Sequence, residues 1–358
     1  MIVVFALFLA GLALFMQKRR MENCLDLVKE NHWPDADIVE PDQEFHIVIS
    51  LKNLGRGFIP FLRIKEYIPA AMDLRMEGEN VIRDAQGGLS VLYTAWLRPR
   101  QELLRYIPVS VPKRGRCFLR EMVVSGGDFL GIHERSRNFN CYAEVVAVPR
   151  PAPEQAVGEV LGGFLGDVSV SRFIFEDPVL TLGYREYTGR EPMKMISWSQ
   201  SARGTGLMVK KYDYTLEPAV SVLVNVESTE DGSGEQIERC LSLARTVCET
   251  LETQGIQYDF ATNAVIAGAM SDMSSMSEGL GGRHFTGILE ALGRAAYSTT
   301  VSADALAEKS AASGYGSARG RILVTPDRSA LSPRALARLR EAAGGNLLVI
   351  DASEVAPW

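Results

Sequence analysis

The apolar residues of this chain keep two different periods, and the change from one to the other limits the fold more than any motif does. Between Asp37 and about Pro149 they recur at every second position in short runs. Glu44 to Leu51 sets Phe45, Ile47 and Ile49 against Glu44, His46 and Ser50, as a strand with one buried face would. Phe58 to Ile68, Leu89 to Leu97, Glu102 to Val111 and Cys117 to Val124 read the same way. Asn53-Leu54-Gly55, Gly87-Gly88, Pro112 and Gly126-Gly127 break them apart. Strands so spaced, with little helical periodicity between them, predict an antiparallel β-sandwich-like domain over 18–150.

After Pro218 the pattern changes. Ala219 to Val224 is a nearly continuous apolar run, as a strand covered on both faces would be. Ser233 and Gln236 make a capping-box pattern, and Ile237, Cys240, Leu241, Ala244, Val247, Cys248 and Leu251 follow at helical spacing. Gly255 ends that helix and Gln257 to Ala261 reads as a second strand. A Met-, Ser- and Gly-rich loop covers Met270 to Gly282, and Phe285, Ile288, Leu289, Leu292 and Ala296 mark another helix. Arg321 to Thr325 is a strand, Ser332-Pro333 starts a helix that stops near Gly344-Gly345, and Asn346 to Ile350 is the last strand. Strands alternating with helices predict a Rossmann-like, mostly parallel open α/β sheet over 218–358. Pro149, Pro151 and Pro153 form a stiff connector, and 151–217 reads as a linking region. Within it Ala156 to Gly166 shows no strong period, and Met193 to Trp198 and Leu207 to Tyr214 read as strands.

The chain opens on an apolar run, 1–17, followed at once by Lys18-Arg19-Arg20. Sixteen helical residues reach about 24 Å, against a hydrocarbon core of roughly 30 Å, and Gln17 and a snorkelling Lys18 extend the reach. Charge after the run rather than before it argues against a cleaved signal. The expectation is a transmembrane segment with the soluble domains in the cytoplasm. A net charge of −6 argues against a nucleic-acid partner. The cysteines (Cys24, Cys117, Cys141, Cys240, Cys248) are odd in number and form no CxxC pair, so neither a disulfide framework nor a zinc site is expected.

Open α/β sheets bind ligands beyond the carboxyl ends of their strands. There this chain carries Asn225-Val226-Glu227-Ser228-Thr229-Glu230-Asp231, whose acids would repel a nucleotide's phosphates. An oxygen-rich loop of this kind, with Asp327 beyond the later strand, is compatible with a divalent cation; its plain reading is a solvated turn. The four histidines are dispersed, and HExxH and GxSxG are both absent. The densest stretch of large polar and aromatic side chains is Gly183 to Tyr214. Arg185, Arg203 and Lys210 as fixed charges and Tyr187 and Trp198 as anchors make it a candidate binding surface. In the structural reading of the same residues Trp198 fills a core and the Arg and Glu side chains pair. An enzyme built on the Arg185–Arg203 cluster would need a concave pocket there.

The same stretch resembles the signature of the bacterial domain of unknown function 58 family. It reads Arg185-Glu186-Tyr187, Lys194, Ile196-Ser197-Trp198, Ser201-Ala202-Arg203 and Leu207-Met208-Val209-Lys210, with Arg114-Gly115-Arg116 and Asp128-Phe129-Leu130-Gly131 similar to upstream landmarks. Arg190-Glu191 stands where that signature has Gly-Asp. The resemblance implies a membrane segment, a β-domain and a C-terminal von Willebrand factor A-like domain. It implies a non-enzymatic, membrane-anchored adaptor or scaffold, working with a MoxR-type AAA+ ATPase in assembly or maturation of membrane-associated complexes. The adhesion-site pattern Asp-x-Ser-x-Ser appears here as Asn225-x-Glu227-x-Thr229, with Asp327 matching the distant acid, so the family's metal site is degenerate and no cofactor is expected.

Overall fold

A computed structural model describes residues 11, 25–78, 80–83, 88–127, 134–172, 177–189, 191–203, 206–213, 219–229, 234–269, 272–312 and 319–355. The expected membrane segment, 1–17, lies outside them apart from Gly11. Among the described residues no helix is long and apolar enough to cross a membrane. The chain divides into two compact units, 1–150 and 151–358.

The first unit contains β1 (Val28–Pro34), β2 (Ile38–Val39), β3 (Phe45–Asn53), β4 (Ile59–Ile68), β5 (Asp73–Leu74), β6 (Val81–Arg83), β7 (Leu89–Leu97), β8 (Glu102–Ser110), β9 (Gly115–Gly127) and β10 (Glu134–Ala147). They form a four-stranded sheet, β1-β3-β8-β5, and a six-stranded sheet, β2-β10-β9-β4-β7-β6. All pairings are antiparallel except β2 with β10. Phe45, Ile47, Ile49 and Leu51 of β3 share one core with Leu62 and Ile64 of β4, Val91 of β7 and Met122 and Val124 of β9. Burying one face of each sheet against the other is what the period-two pattern requires. His32 on β1 and Glu66 on β4 are buried in this unit.

The second unit holds β11 (Asp177–Glu186), β12 (Met208–Asp213), β13 (Ala219–Val224), β14 (Gln257–Thr262), β15 (Ala264–Ile266), β16 (Ser275–Gly279), β17 (Ala295–Thr299), β18 (Gly320–Thr325) and β19 (Leu347–Asp351). Its helices are α1 (Gly158–Arg172), α2 (Gly234–Gln254), α3 (Gly282–Arg294), α4 (Ala303–Ala312) and α5 (Pro333–Ala342). The main sheet runs β16-β14-β13-β18-β19, parallel except for β16 at the edge. On one face α1, α2 and α3 pack over Val220, Val222 and Val224. On the other, Ala303, Ala307, Ala335 and Leu339 of α4 and α5 meet Leu223 and Leu323. Helices on both faces explain why the β13 sequence is apolar at every position but Ser221.

Several sequence expectations change here. The glycine-rich stretch after Ala156 is helical, and Val157, Leu161, Phe164 and Leu165 join the α/β core; residues 151–165 belong to that unit rather than standing apart as a linker. Ala152 N–H bonds the Thr246 hydroxyl at 2.8 Å, fastening the connector to α2. Met193–Met195 is a 3₁₀ turn and Trp198–Ser201 a single helical turn, not a strand. Part of the Met- and Ser-rich loop is the edge strand β16, Ala296 lies in β17, and β10 and α4 carry no expectation from the sequence. Gly255 (φ +68°) takes the left-handed conformation that ends α2. Cys240 and Cys248 are fully buried in the core, which pushes both thiols well up and leaves them inert.

Candidate functional site

Two places brought together the sequence's candidate residues. The first is the switch point of the main sheet. The chain leaves β13 through α2 to reach β14 on one side, and later enters β18 on the other. Such a reversal opens a crevice beyond the carboxyl ends of the central strands. Asn225, Glu227 and Thr229 follow β13 there, and Asp327 follows β18.

The side chains at this crevice are directed at each other. Asn225 is fully buried. Its Nδ2 donates to the Glu227 carbonyl and to Thr325 Oγ1, both at 3.0 Å. Its Oδ1 accepts from Glu227 N at 2.9 Å and from Asn263 Nδ2 at 2.7 Å. An aspartate could not make the two donations, which gives a structural reason for an amide where the adhesion-site pattern has an acid. The Glu227 carboxylate turns away and accepts from Ala303 N–H, the start of α4, where a negative charge suits the helix dipole. Asp327 Oδ2 accepts from Thr229 Oγ1 at 2.6 Å and Ser329 Oγ at 2.5 Å, and Oδ1 from Ser329 N at 2.7 Å. The Ser329 and Thr229 hydroxyls hold its carboxyl below the usual range. Of the four positions, Asn225 touches Glu227 and Thr229 touches Asp327. Asn225 Oδ1, Glu227 Oε2 and both Asp327 oxygens already accept from protein donors, so the set does not fit a hard cation that needs several free oxygen ligands. Among the described residues no group of three or more His, Cys, Asp and Glu could hold a metal. The sequence pattern missed Asn263 and Ser329, which complete these bonds from a separate loop and turn.

The second place is the β11–β12 hairpin with the turns between its strands. Tyr184 lies opposite Lys210, Arg185 opposite Val209 and Glu186 opposite Met208. On the other side of β12, Ile196 bridges to Val209, and these two are the buried apolar pair of the element. Ser201 ties the loop together: its hydroxyl donates to the Ser197 carbonyl and accepts from Met208 N, each at 2.8 Å. Arg185 pairs with Glu191, and Thr188 donates to Glu191 from both its N–H and its hydroxyl. Burial raises the Glu191 carboxyl, but the Thr188 and Arg185 hydrogen bonds outweigh it and hold the group at about 2.

The structure therefore sorts the signature residues by role. Arg185 and Ser201 spend their polar atoms on the hairpin itself. Trp198, expected in the structural reading to fill a core, is 62% exposed, and Met193 beside it is 69% exposed. Tyr184 and Leu207 are also exposed, whereas Tyr187 is half-buried, its N–H bonded to the Leu207 carbonyl. Glu186, Lys194 and Arg203 are exposed, and Lys210 is half-buried. The helical turn at Trp198–Ser201 is what lifts the indole outward; a strand through Trp198 would have set it on the same face as the buried Ile196.

No protein-family model matches this chain, and no curated protein does. Among solved structures, a cohesin module from a Clostridium perfringens family 33 glycoside hydrolase is similar at 13% identity, over 34% of this chain and 96% of that one, with a TM-score of 0.24. A CARDB domain from Pyrococcus furiosus, described in complex with di-metal ions, is similar at 17% identity over 34% and 90%, with a TM-score of 0.22. The seventh ScaB type I cohesin of Pseudobacteroides cellulosolvens is similar at 14% identity over 35% and 94%, also at 0.22. At these scores the likenesses carry no functional argument.

Proposed function

We propose that the chain is a protein-interaction module, an adaptor without chemistry of its own, and that the β11–β12 hairpin is its docking surface. The observation that carries this reading is the exposed Trp198, held outward with Met193 by a turn whose hydrogen bonds are satisfied internally. Aromatic residues displayed on a braced element are the usual anchors of a protein interface. Lys194, Arg203, Lys210 and Lys211 belong to the same hairpin and its turns and form no ion pair among the described residues, while Glu191 is consumed by Arg185. In a chain of net charge −6, this local positive excess suits an acidic partner with an apolar recess.

The signature residues of this hairpin are those that resemble the domain of unknown function 58 family. On that reading the partner is a MoxR-type AAA+ ATPase, the apolar 1–17 segment is the membrane anchor, and the later unit is von Willebrand factor A-like with the soluble domains in the cytoplasm. The test compares the full chain with a Trp198→Ala/Arg203→Glu variant in cross-linking on native membranes. The full chain is expected to capture an AAA+ ATPase, and the variant at least tenfold less of it. Capture without an ATPase would overturn the partner, and equal capture by the variant would overturn the surface.

A further inference from the structure

Away from both places, the main sheet ends on an edge strand that nothing blunts. β19 pairs with β18 alone. Edge strands are ordinarily kept apart from other chains by charges, bulges or proline. The opposite edge, β16, is so protected: it carries Glu278, and its register with β14 shifts. β19 reads Leu-Leu-Val-Ile-Asp in unbroken register, with Leu347, Leu348 and Val349 half-buried. Its one charge is withdrawn, because the Asp351 carboxylate accepts from Arg328 N, Ser353 N and the Ser353 hydroxyl.

The backbone groups left over on this edge complement themselves. Arg321 N donates to the Asn346 carbonyl and Ala352 N to the Thr325 carbonyl, each at 2.9 Å. Asn346, Leu348, Ile350 and Ala352 therefore turn their backbone groups toward β18, and Leu347, Val349 and Asp351 turn theirs outward. Of the outward groups, Leu347 N already donates to the Gly345 carbonyl at 3.0 Å, and the Asp351 carbonyl accepts from Glu354 N at 3.2 Å. Among the described residues the rest have no partner: Val349 N–H and C=O, the Leu347 carbonyl and Asp351 N–H. A two-fold axis through Val349, normal to the sheet, sets Val349 against the partner's Val349 with both N–H···O bonds exchanged. It also sets the Leu347 carbonyl against the partner's Asp351 N–H. Every open donor then meets an open acceptor, and the spent groups face each other. A foreign peptide would bring a full set of donors and acceptors, some of them facing the spent groups.

The side chains agree with that axis. Leu348 and Ile350 lie on the α1 side of the sheet, and Leu347 and Val349 on the α5 side. The pairing puts Leu348 opposite the partner's Ile350, apolar against apolar. On the α1 side a groove of about 610 Å³ follows the edge, lined by Val157, Val160, Val349, Ile350 and Val355, and Val160 is 56% exposed. The partner's Leu348 would arrive on this side. Glu354, an exposed acid of the groove, lies beyond Asp351 and away from the axis.

We propose that β19 pairs antiparallel with β19 of a second copy of this chain, joining two main sheets into one across a two-fold axis at Val349. The experiment is sedimentation equilibrium of the full-length protein in density-matched detergent, beside a Val349→Pro variant. Proline removes the central N–H on the side of the strand that bonds nothing within the chain, so the ladder to β18 is kept. The parent is expected to be dimeric at tens of micromolar, and Val349→Pro to dissociate at least tenfold more readily. Facing Cα atoms of such a hydrogen-bonded pair lie about 5.5 Å apart, within disulfide reach. Val349→Cys is therefore expected to give a covalent dimer under mild oxidant, while the parent and Glu354→Cys, off the axis, do not. A monomeric parent would leave the edge to another protein's strand and overturn the proposal. Equal dimerisation by Val349→Pro, or equal cross-linking of the two cysteine variants, would also overturn it, and the cysteine pair decides even if Val349→Pro fails to fold.

Discussion

Replacing Glu66 with leucine should stabilise the β-sandwich. Glu66 lies on β4, between β7 and β9 in the six-stranded sheet, with Val91 and Met122 as its register neighbours. It is fully buried, and both carboxyl oxygens lack a hydrogen-bond partner. Among the described residues Glu66 meets one opposite charge, His32 Nε2 at 3.7 Å, beyond hydrogen-bond reach. That proximity suggests an ion pair, yet burial pushes the carboxyl well up from 4.5 and the imidazole down from 6.5. Desolvation is the stronger effect, because neither Glu66 oxygen has the further hydrogen bonds that a buried ion pair needs.

Leaving such a polar group unsatisfied costs about 1–3 kcal/mol, and leucine of similar volume removes that cost. The pH dependence has a definite sign. A carboxyl with a raised folded-state value favours folding below 4.5 and loses that contribution as pH rises toward the raised value. The advantage of Glu66→Leu should therefore grow above pH 4.5 by up to about 1.4 kcal/mol per unit, reaching roughly 2–4 kcal/mol at pH 7. Urea unfolding of the full chain at pH 4, 5.5 and 7, with Trp33 and Trp96 as fluorescence reporters within 1–150, should show the midpoint rising by about 1–2 M at pH 7. A variant less stable than the parent, or an advantage that does not change with pH, would refute the reasoning and show that Glu66 and His32 form a net favourable pair.

Asn225→Ala should cost about 2–4 kcal/mol in denaturant titrations, because it strands donors and acceptors on Glu227, Thr325 and Asn263 that are buried around it. Millimolar Mg²⁺, Ca²⁺ or Mn²⁺ should leave the thermal midpoint unchanged, since Glu227 Oε2 and both Asp327 oxygens already accept from protein donors. Trp198→Ala should change stability by less than about 0.5 kcal/mol, as exposed substitutions do, whereas Ser201→Ala should cost about 1–2 kcal/mol by freeing Met208 N; thermal melts of the two variants separate display from bracing. Glu191, held at about 2, supports the hairpin above its ordinary value of 4.5 and loses that contribution as pH falls toward 2. Thr188 amide exchange at pH 4 should be protected in the parent and fast in Glu191→Ala.

What could be read without coordinates follows from local periodicity. Alternation in β3, β4, β7 and β8 and helical spacing in α2 need only a core on one side, and burial then selects the pattern. The strand at Ala219–Val224 was legible for the complementary reason, since continuous apolarity demands cover on both faces. β10 was not, because its first half is polar (Glu134-Arg135-Ser136-Arg137-Asn138) and its register shifts between Asn140 and Ala143, breaking the alternation. Neither was α1, where glycines at 158, 162, 163 and 166 hide a buried stripe of Leu161, Phe164 and Leu165.

The sequence by itself determined the two kinds of architecture, the place where one gives way to the other, and which segments concentrate charge and aromatic side chains. These are one-dimensional properties, fixed by period and composition. Only the tertiary structure decided what those side chains do. It wired Asn225 to Thr325 and Asn263, separated by 100 and 38 positions in the chain, and spent both Asp327 oxygens and Glu227 Oε2 on protein donors. It lifted Trp198 out of a core on one helical turn, and it buried Arg321 on β18 with its Nε and Nη1 unbonded. The reason is physical: whether a polar group is satisfied depends on partners brought from distant positions, and no local pattern records them.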